Sequence, residues 1–468
     1  MAWFSLSLIG GIGLAYFFYQ PVFLGWQWFF VAAALLAIAF IKRTAAFVLL
    51  AIAAGLLLGF WRGGNVVGST FDYQKFVGQS VVLRGRIAAD VTHKNGEAGL
   101  KLNHVQIGQM KLGGEVWAGT TSQLDLKRGD EVRLTGKLKP GFGNFVASLN
   151  YARLTSARRS ANLSLKLRDN FDNGLQRAVP EPEAQLGIGY LVGKRNNLPA
   201  TLTKQLQLVG LIHLVIAGGY NVTILVRFLR RGFGRISKYL AVLLPAALLI
   251  GLTFMTGFSA PMARTTIITG LSLAAWYYGR RLHPLVLLPL AAAITAIINP
   301  TFVDGNIGWL MTFVAYGGLI LLAPLLKQIF WKHKSHGLIK QIFADTLSVQ
   351  VVTMPLLAIA FQQYSIYGLP ANLLVLPLMP LTMLAIAIAG LGGMFLPAGI
   401  AQIIGWPAAR LLGYTDHITT TLATAPGANY AASLKLPLVI LTYAVIIAVI
   451  YLLHRQTKFN YAQENVVE

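Results

Sequence analysis

Long apolar segments recur along most of the chain. Three open the sequence, roughly at Trp3–Tyr19, Val22–Ile41 and Ala45–Trp61. Each is about as long as a helix must be to cross the ~30 Å hydrocarbon core of a bilayer. A less apolar stretch, residues 396–425, leaves open whether it spans the membrane or lies in the interface. The pattern predicts a polytopic α-helical membrane protein, with later spans at His213–Leu229, Tyr239–Phe258, Met262–Tyr278, Pro284–Ile298, Ile307–Leu326, Leu347–Phe361, Asn372–Phe395 and Pro437–Leu453.

Residues 62–159 follow a different pattern and contain no apolar segment long enough to span. Val132, Leu134 and Leu138 alternate with polar residues, as in a half-buried strand. Five short strands with Gly-rich turns favour a small Greek-key barrel such as an OB fold, although propensity alone does not distinguish it from other small barrels. The other strands are expected near Ser80–Ile87, Gly99–Ile107, Gly114–Ala118 and Phe145–Leu154.

The segment after the β domain returns to a helical period. Leu163, Leu167, Phe171 and Leu175 recur every four residues, and Ser160 is a suitable N-cap. An amphipathic helix in the membrane interface and a helix packed on the barrel both remain open. The predicted organisation is three transmembrane helices at 1–61, the β domain at 62–159, the amphipathic helix at 160–182, a membrane domain of about eight or nine spans at 183–456, and a tail at 457–468.

Composition supports the membrane assignment and adds a strong charge bias. Of the 468 residues, 55% are hydrophobic and 12% charged, whereas a soluble domain has about 25% charged residues. Net charge is +23, and there is no cysteine, which excludes disulfides and thiolate sites. Between residues 184 and 463, 19 Lys and Arg face only three acidic residues, Asp304, Asp345 and Asp416. A basic membrane half with so few acidic residues is suited to an anionic substrate, or it reflects positively charged cytoplasmic loops.

The basic clusters also indicate an orientation. They follow alternate spans, so all of them can face the cytoplasm. The β domain is then extracytoplasmic and the C-terminus cytoplasmic. The clusters are Lys42 and Arg43; Arg227, Arg230, Arg231, Arg235 and Lys238; Arg280 and Arg281; Lys327, Lys332, Lys334 and Lys340; and Arg455 and Lys458.

Four of the apolar segments carry polar interruptions that a lipid-facing helix would not need. The segment Leu211–Thr223 contains paired glycines, which permit close helix approach or a break in the helix. The others are Gly257–Arg264, Asp304–Phe313 and Leu347–Pro380. Their notable residues are His213, Gly218, Gly219, Tyr220, Asn221, Thr223, Arg264, Asp304, Asn306, Gln350, Pro355 and Asn372.

These motifs, in this order, resemble the ComEC family of competence DNA-translocation channels. The resemblance covers roughly Trp3 to Leu453 and includes the barrel segment at 128–140. One departure lies just after His213, where the family usually has Ser-Gly-Leu-His and this chain has Gly218, Gly219, Tyr220 and Asn221. A role that depends on the Ser or the His of that family motif therefore does not carry over. Another is that the chain ends at Glu468 without the metallo-β-lactamase-like nuclease domain of many members. The resemblance is most specific in His213–Val222, Pro261–Arg264, Trp309–Pro324 and Gln350–Pro380.

The resemblance implies a channel that admits single-stranded DNA. A pore for a charged strand needs donors, positive potential and aromatic faces that hold phosphates weakly. The DNA-path candidates are His213, Gly218, Gly219, Tyr220, Asn221, Thr223, Lys194, Arg195, Lys204, Arg264 and Arg410. Two of these candidates have plainer alternatives: Arg264 could snorkel to the interface, and His213 could be a structural hydrogen-bonding residue. The structural motif residues have similar interpretations, with Asp304 and Asn306 as caps of the helix at Ile307, and Gln350 and Asn372 as groups that hydrogen-bond between helices. The basic barrel is a second DNA-contacting candidate.

The partners expected from the resemblance are an envelope DNA receptor, a cytoplasmic helicase-type motor and a separate nuclease. The sequence contains no P-loop, and its eight His are scattered, so we expect no enzymatic activity, no cofactor and no metal site. Membrane lipid surrounds the chain, and a homo-oligomer remains open. The alternative function is transport of another anionic polymer or a lipid-linked solute. A membrane-embedded enzyme around His213 and Asp304 is a third hypothesis, disfavoured by the scarcity of acids.

Overall fold

The computed structural model of the chain describes residues 1–18, 24–39, 45–94, 97–121, 126–160, 162–194, 198–215, 219–256, 260–280, 282–331, 337–361, 363–428, 430–431 and 435–461. These residues form two compact units. Unit 1 comprises Met1–Leu165 and Pro289–Leu310, and unit 2 comprises Lys166–Leu288 and Met311–Glu468.

Unit 1 begins with three apolar helices, α1 (Ala2–Phe17), α2 (Trp26–Ala39) and α3 (Ala45–Gln74). Helices α1 and α3 approach so closely that a Cβ at Gly59 would collide with the backbone of Leu8. The sequence predicted that α3 ends at Trp61, but the helix is longer. It continues to Gln74 because its last turns make their own contacts: Arg62 Nε donates to the carbonyl of Ile297 at 2.9 Å, and Tyr73 is buried in the core of the β domain.

The β domain is a closed barrel of OB type. Strand β1 pairs with both β3 and β6, β3 pairs with β5, β5 runs parallel to β7, and β7 pairs with β6. This order closes the ring and confirms the predicted fold class. The strands are β1 (Ser80–Ile87), β2 (Thr92–Lys94), β3 (Glu97–Ile107), β4 (Met110–Leu112), β5 (Val116–Thr120), β6 (Glu131–Pro140), β7 (Ala147–Leu149) and β8 (Arg153–Arg158).

Alternating side chains from these strands fill the barrel. Every second residue of β1 points inward, so Leu83 is buried while its neighbours are not. Leu100 and Leu134 meet it in the same core. The strand predicted at Phe145–Leu154 is divided into β7 and β8, since the chain turns between them through Tyr151 with a φ of 54°.

Most of the remaining helices belong to unit 2, and α4, α11 and α12 each have residues in both units. Two short strands, β9 (Gln363–Tyr364) and β10 (Tyr430–Ala431), pair with each other. The helices are α4 (Leu163–Ala178), α5 (Glu183–Val192), α6 (Ala200–Leu208), α7 (Ile212–Val215), α8 (Gly219–Phe233), α9 (Leu240–Thr256), α10 (Ala260–Tyr277), α11 (Pro284–Ile298), α12 (Ile307–Leu321), α13 (Ala323–Trp331), α14 (Leu338–Phe361), α15 (Gly368–Val375), α16 (Met379–Phe395), α17 (Ala398–Ala423) and α18 (Leu436–Thr457).

Within the described part of the chain, five helical segments are long and apolar enough to cross a membrane. Their outer surfaces are apolar: Ile440 and Ile447 of α18 are 63% and 66% exposed. Exposed aliphatic surface on helices of this length and hydropathy is typical of contact with lipid. The chain is therefore an α-helical membrane protein with a small β-barrel. The five segments are Ala46–Gln74, Ile307–Trp331, Ile339–Ala360, Gly368–Phe395 and Leu436–Thr457.

The second half of the amphipathic helix α4 packs against α16 and α17. Its residues Phe171, Gly174 and Ala178 are buried against notches in those helices. A Cβ at Gly393 of α16 would collide with the carbonyl of Gly174, and one at Gly405 of α17 with that of Ala178. The weakly apolar stretch at 396–425 forms the single helix α17, which continues through Pro407.

Candidate functional site

The arginine within the α10 segment points toward α12. Arg264 is half-buried, its Nη1 donates to the carbonyl oxygen of Thr312 at 2.7 Å, and its guanidinium lies 5.8 Å from the ring centroid of Tyr316. Both contacts come from residues about fifty positions away in sequence. The structure thus holds this cation between two helices of unit 2, by a charge-assisted hydrogen bond and a cation–π contact.

Threonine hydroxyls connect the helices around α10. Thr223 Oγ1 of α8 lies 3.3 Å from Thr269 Oγ1, and Thr253 Oγ1 of α9 lies 2.9 Å from Thr266 Oγ1. These pairs place neutral hydrogen-bonding groups along the same helix that carries Arg264. We call Thr223, Thr253, Arg264, Thr266 and Thr269 the polar seam.

The segment Leu211–Thr223, predicted to line a path, is only partly described. His213 in α7 is exposed, and its Nδ1 donates to the carbonyl of Gly210 at 2.9 Å. Gly219 begins α8. Gly218 lies outside the described residues, and the side chains of Tyr220 and Asn221 are not described. The role of these residues in a DNA path remains a prediction.

The other predicted cations lie in different surroundings. Helix α5 ends at Gly193, whose φ of 76° turns the chain so that Lys194 Nζ lies 3.2 Å from the carboxylate of Asp172. Burial raises the pKa of Asp172, while the cation of Lys194 lowers it. Lys204 is exposed on α6, and Arg195 lies outside the described residues. The charge of Lys194 is therefore compensated within unit 2.

The structural motif residues mostly make local contacts. Asn306 Oδ1 accepts the backbone N–H of Trp309 at 2.8 Å and caps α12, as predicted. Partial burial raises the pKa of the neighbouring Asp304. Asn372 Nδ2 donates to the carbonyl of Gly368 at 2.7 Å, within its own helix rather than between helices. The amide of Gln350 packs against the same glycine, and Pro355 is accommodated inside α14.

The barrel, which its basic charge made a second DNA-contacting candidate, presents an aromatic and basic surface whose residues were not predicted from the sequence. Trp117, Phe142 and Phe145 have ring centroids 5.4–6.2 Å apart, and Lys101 Nζ lies 5.6 Å from the ring of Phe145. Lys101 on β3 is the cross-strand partner of Trp117 on β5. These strands form the face with which OB folds bind oligonucleotides. We call Lys101, Trp117, Phe142 and Phe145 the aromatic patch.

One carboxyl group beside this surface is partly buried. Glu115 precedes Trp117 by two residues, and burial raises the pKa of its carboxyl, an effect that Lys101 opposes. The sequence signal for the patch was the Phe-Gly-Asn-Phe turn at 142–145, which brings two aromatic rings together between β6 and β7. Only the pairing of β3 with β5 adds Trp117 and Lys101.

Arg410 lies apart from the polar seam, on α17. Its guanidinium is 5.4 Å from the ring centroid of Trp406, one turn earlier on the same helix. Among the described residues, no group of three His, Cys, Asp or Glu side chains could hold a metal ion. The site chemistry of the described residues is thus that of hydroxyls, guanidinium groups and aromatic rings.

The fold and these surfaces define a helical membrane protein with a polar seam in one unit and an OB-type barrel in the other. The chain belongs to the competence protein family, whose model, described as Competence protein, matches residues 190–457. ComE operon protein 3 of Bacillus subtilis strain 168 is 23% identical over 264 residues, which cover 55% of this chain and 33% of that relative. The alignment thus spans about a third of the relative's length. No solved structure matches the chain.

Proposed function

We propose that the chain is an inner-membrane channel through which single-stranded DNA enters the cytoplasm during transformation. Family membership supports a role in competence DNA uptake. The observation that supports a single strand in particular is the aromatic patch on the barrel. Bases stack on exposed aromatic rings only when they are unpaired, and a neighbouring lysine attracts the phosphates.

The polar seam supports passage through the membrane domain. Hydrocarbon does not solvate phosphate charges, so a path must supply donors and positive potential. A guanidinium carries five N–H donors, and the bond from Arg264 to Thr312 uses one of them. Hydroxyls such as those of Thr223 and Thr269 bind weakly enough to release each phosphate. We infer that α8, α10 and the segment His213–Thr223 contribute to this path.

The proposed topology follows the basic loops. Positive clusters after alternate spans favour cytoplasmic loops, an extracytoplasmic barrel and a cytoplasmic C-terminus in the cell membrane. The channel itself would have no enzymatic activity and would bind no cofactor. It would receive DNA from an envelope receptor and a nuclease, and a cytoplasmic helicase-type motor would supply the energy.

Uptake of fluorescent DNA by a strain lacking the chain tests the function directly. External nuclease removes DNA that has not entered. If label gathers in the envelope but none becomes cytoplasmic, the protein is the conduit. If cytoplasmic label is unchanged, the proposal is wrong about the substrate, and transport of another anionic polymer or lipid-linked solute becomes the better hypothesis.

Binding by the purified chain tests the aromatic patch. We expect Phe142→Ala to weaken binding of a thymidine oligonucleotide by about 1–3 kcal/mol, the loss of one stacked base. Phe142 is 54% exposed, so its truncation leaves the barrel core intact. Tyr151→Ala is the matched control because Tyr151 is also an exposed barrel aromatic, at 76%, and lies outside the patch. Equal affinity of the two variants would contradict the assignment.

The polar seam is tested by uptake in Arg264 variants at matched protein abundance in the membrane. We expect Arg264→Gln to abolish uptake and Arg264→Lys to retain part of it, because the positive charge persists. Arg280→Gln, at an exposed arginine that follows α10, is the control. Normal DNA uptake by Arg264→Gln would show that the polar seam does not contribute to the DNA path.

A further inference from the structure

A groove of about 710 Å³ lies between the end of α4 and the middle of α17 in unit 2. Arg177 comes from the last turn of α4, and Arg410 comes from α17. Tyr414 and His417 line the groove further along α17, and the carboxylate of Glu183 enters it from the start of α5. The groove therefore combines two guanidinium groups with one carboxylate and several rings.

One face of α17 changes from apolar to basic as it reaches the groove. Ile403, Trp406, Arg410, Tyr414 and His417 follow one another at intervals of three or four residues, so they share that face. Ile403 and Trp406 are 75% and 60% exposed. At 1.5 Å per residue, Ile403 and Arg410 are about 10 Å apart along the helix.

This gradient matches the boundary between acyl chains and headgroups. Trp and Tyr are enriched at the headgroup level, where their rings have one apolar and one wet end. Basic pockets between membrane helices bind anionic lipid headgroups. The cation–π contact holds the Arg410 guanidinium beside Trp406, so it is placed where the apolar face ends.

We propose that the groove binds an anionic phospholipid, with the phosphate between Arg177 and Arg410 and an acyl chain along Ile403 and Trp406. Planar guanidinium groups match phosphate oxygens in a bidentate geometry. Among the residues that line the groove, two arginines outnumber one carboxylate, and Asp416, which interacts electrostatically with Glu183, is not part of the lining. This excess favours a headgroup with net negative charge. This site stands independently of the proposed DNA path.

A phospholipid suits the groove better than a DNA strand does. The groove is a single cationic position that borders an exposed aliphatic face, and a nucleic acid has no long aliphatic chain to lie along Ile403 and Trp406. A strand needs successive phosphate and stacking sites. The acyl chain of a lipid explains both the charge and the apolar extension of the same helix face.

Retention of phosphatidylglycerol by the full chain, purified in detergent and measured by native mass spectrometry, tests the proposal. We expect Arg177→Gln and Arg410→Gln each to weaken retention by about tenfold or more, the value of a hydrogen bond to a charged group. Arg280→Gln is the matched control, since it removes an exposed arginine elsewhere in unit 2 and should retain lipid like the parent. If all three variants lose phosphatidylglycerol equally, retention reflects only general attraction between charges, and the proposed site is wrong.

A second measurement places the acyl chain. Brominated phosphatidylglycerol should quench tryptophan fluorescence in the parent, and Trp406→Phe should remove the part of the signal that Arg410→Gln also removes. Glycerol phosphate and a thymidine oligonucleotide serve as competitors. If either displaces the lipid at equal concentration, the occupant is a free phosphate or DNA and not a phospholipid, and the proposal fails. Persistence of the quenching in Arg410→Gln would also refute it.

Discussion

Helix α4 is held in unit 2 by contacts that leave no room for a single added methyl group. At Gly393 of α16, a Cβ would lie 2.9 Å from Gly174 Cα and closer still to the carbonyl of that residue. The opposing atoms are backbone, so no rotamer change can relieve the overlap. Ordinary contact begins near 3.4 Å, and α4 would have to move by at least half an ångström, which also disturbs Phe171 against Gly390.

We therefore expect Gly393→Ala to destabilise unit 2 by about 2–3 kcal/mol, toward the upper end of overpacking costs. The assay is thermal unfolding of the full chain in detergent, followed by tryptophan fluorescence and by the fraction that remains monodisperse. A loss of this size lowers the midpoint by roughly 5–10 °C in a domain of 150–250 residues.

The matched control is Gly251→Ala in α9, where an added Cβ would meet open space. Alanine is the better helix former, so this variant should be as stable as the parent or about 1 kcal/mol more stable. If Gly393→Ala and Gly251→Ala unfold at the same temperature, α4 does not lie in the α16 notch. The helix would then belong to the membrane interface, the alternative suggested by its amphipathic sequence.

Three further predictions concern other parts of the fold. Leu134→Ala should expose the barrel to limited proteolysis in the full chain, since truncating a fully buried leucine costs about 2–5 kcal/mol. Asn306→Ala should lower the thermal midpoint through loss of the cap to Trp309, worth about 0.5–2 kcal/mol. Burial raises the pKa of Glu115 in the folded state above its ordinary value of about 4.5. The free energy of unfolding therefore falls as the pH rises from about 4.5 through the folded-state pKa. Glu115→Gln cannot ionise, so its thermal midpoint should not show this fall. At pH values above the folded-state pKa of Glu115, the variant should be more stable relative to the parent than it is at low pH. Parallel midpoint-versus-pH curves would contradict the argument.

The barrel shows how far local pattern reaches. Alternation at Val132, Leu134 and Leu138 predicted a strand because side chains alternate across a sheet with a period of two. The ring closure of β1 with β6 and the parallel pairing of β5 with β7 join residues that are distant in sequence. The aromatic patch depends on the pairing of β3 with β5, so only its Phe142 and Phe145 are close in sequence.

The membrane helices show the opposite limit. Hydropathy ended α3 at Trp61 because the next residues are polar and Gly-rich, but contacts of Arg62 and Tyr73 extend the helix to Gln74. The less apolar stretch 396–425 left open whether it spans the membrane or lies in the interface, and the structure has one helix there, from Ala398 to Ala423, which continues through Pro407. Helix continuity in both cases is decided by tertiary packing rather than by propensity.

The sequence by itself determined the class of protein, the existence of a separate barrel and the chemistry available, because apolar length, period and charge are properties of short windows. Arg264, Thr223 and Arg410 were recognisable as polar groups in apolar surroundings. Only the tertiary structure decided that Arg264 faces Thr312 and Tyr316, that Thr223 meets Thr269, and that α4 packs in glycine notches. Those contacts join residues up to about 230 positions apart, as with Ala178 and Gly405. Such pairings are set by the packing of whole helices rather than by any local pattern.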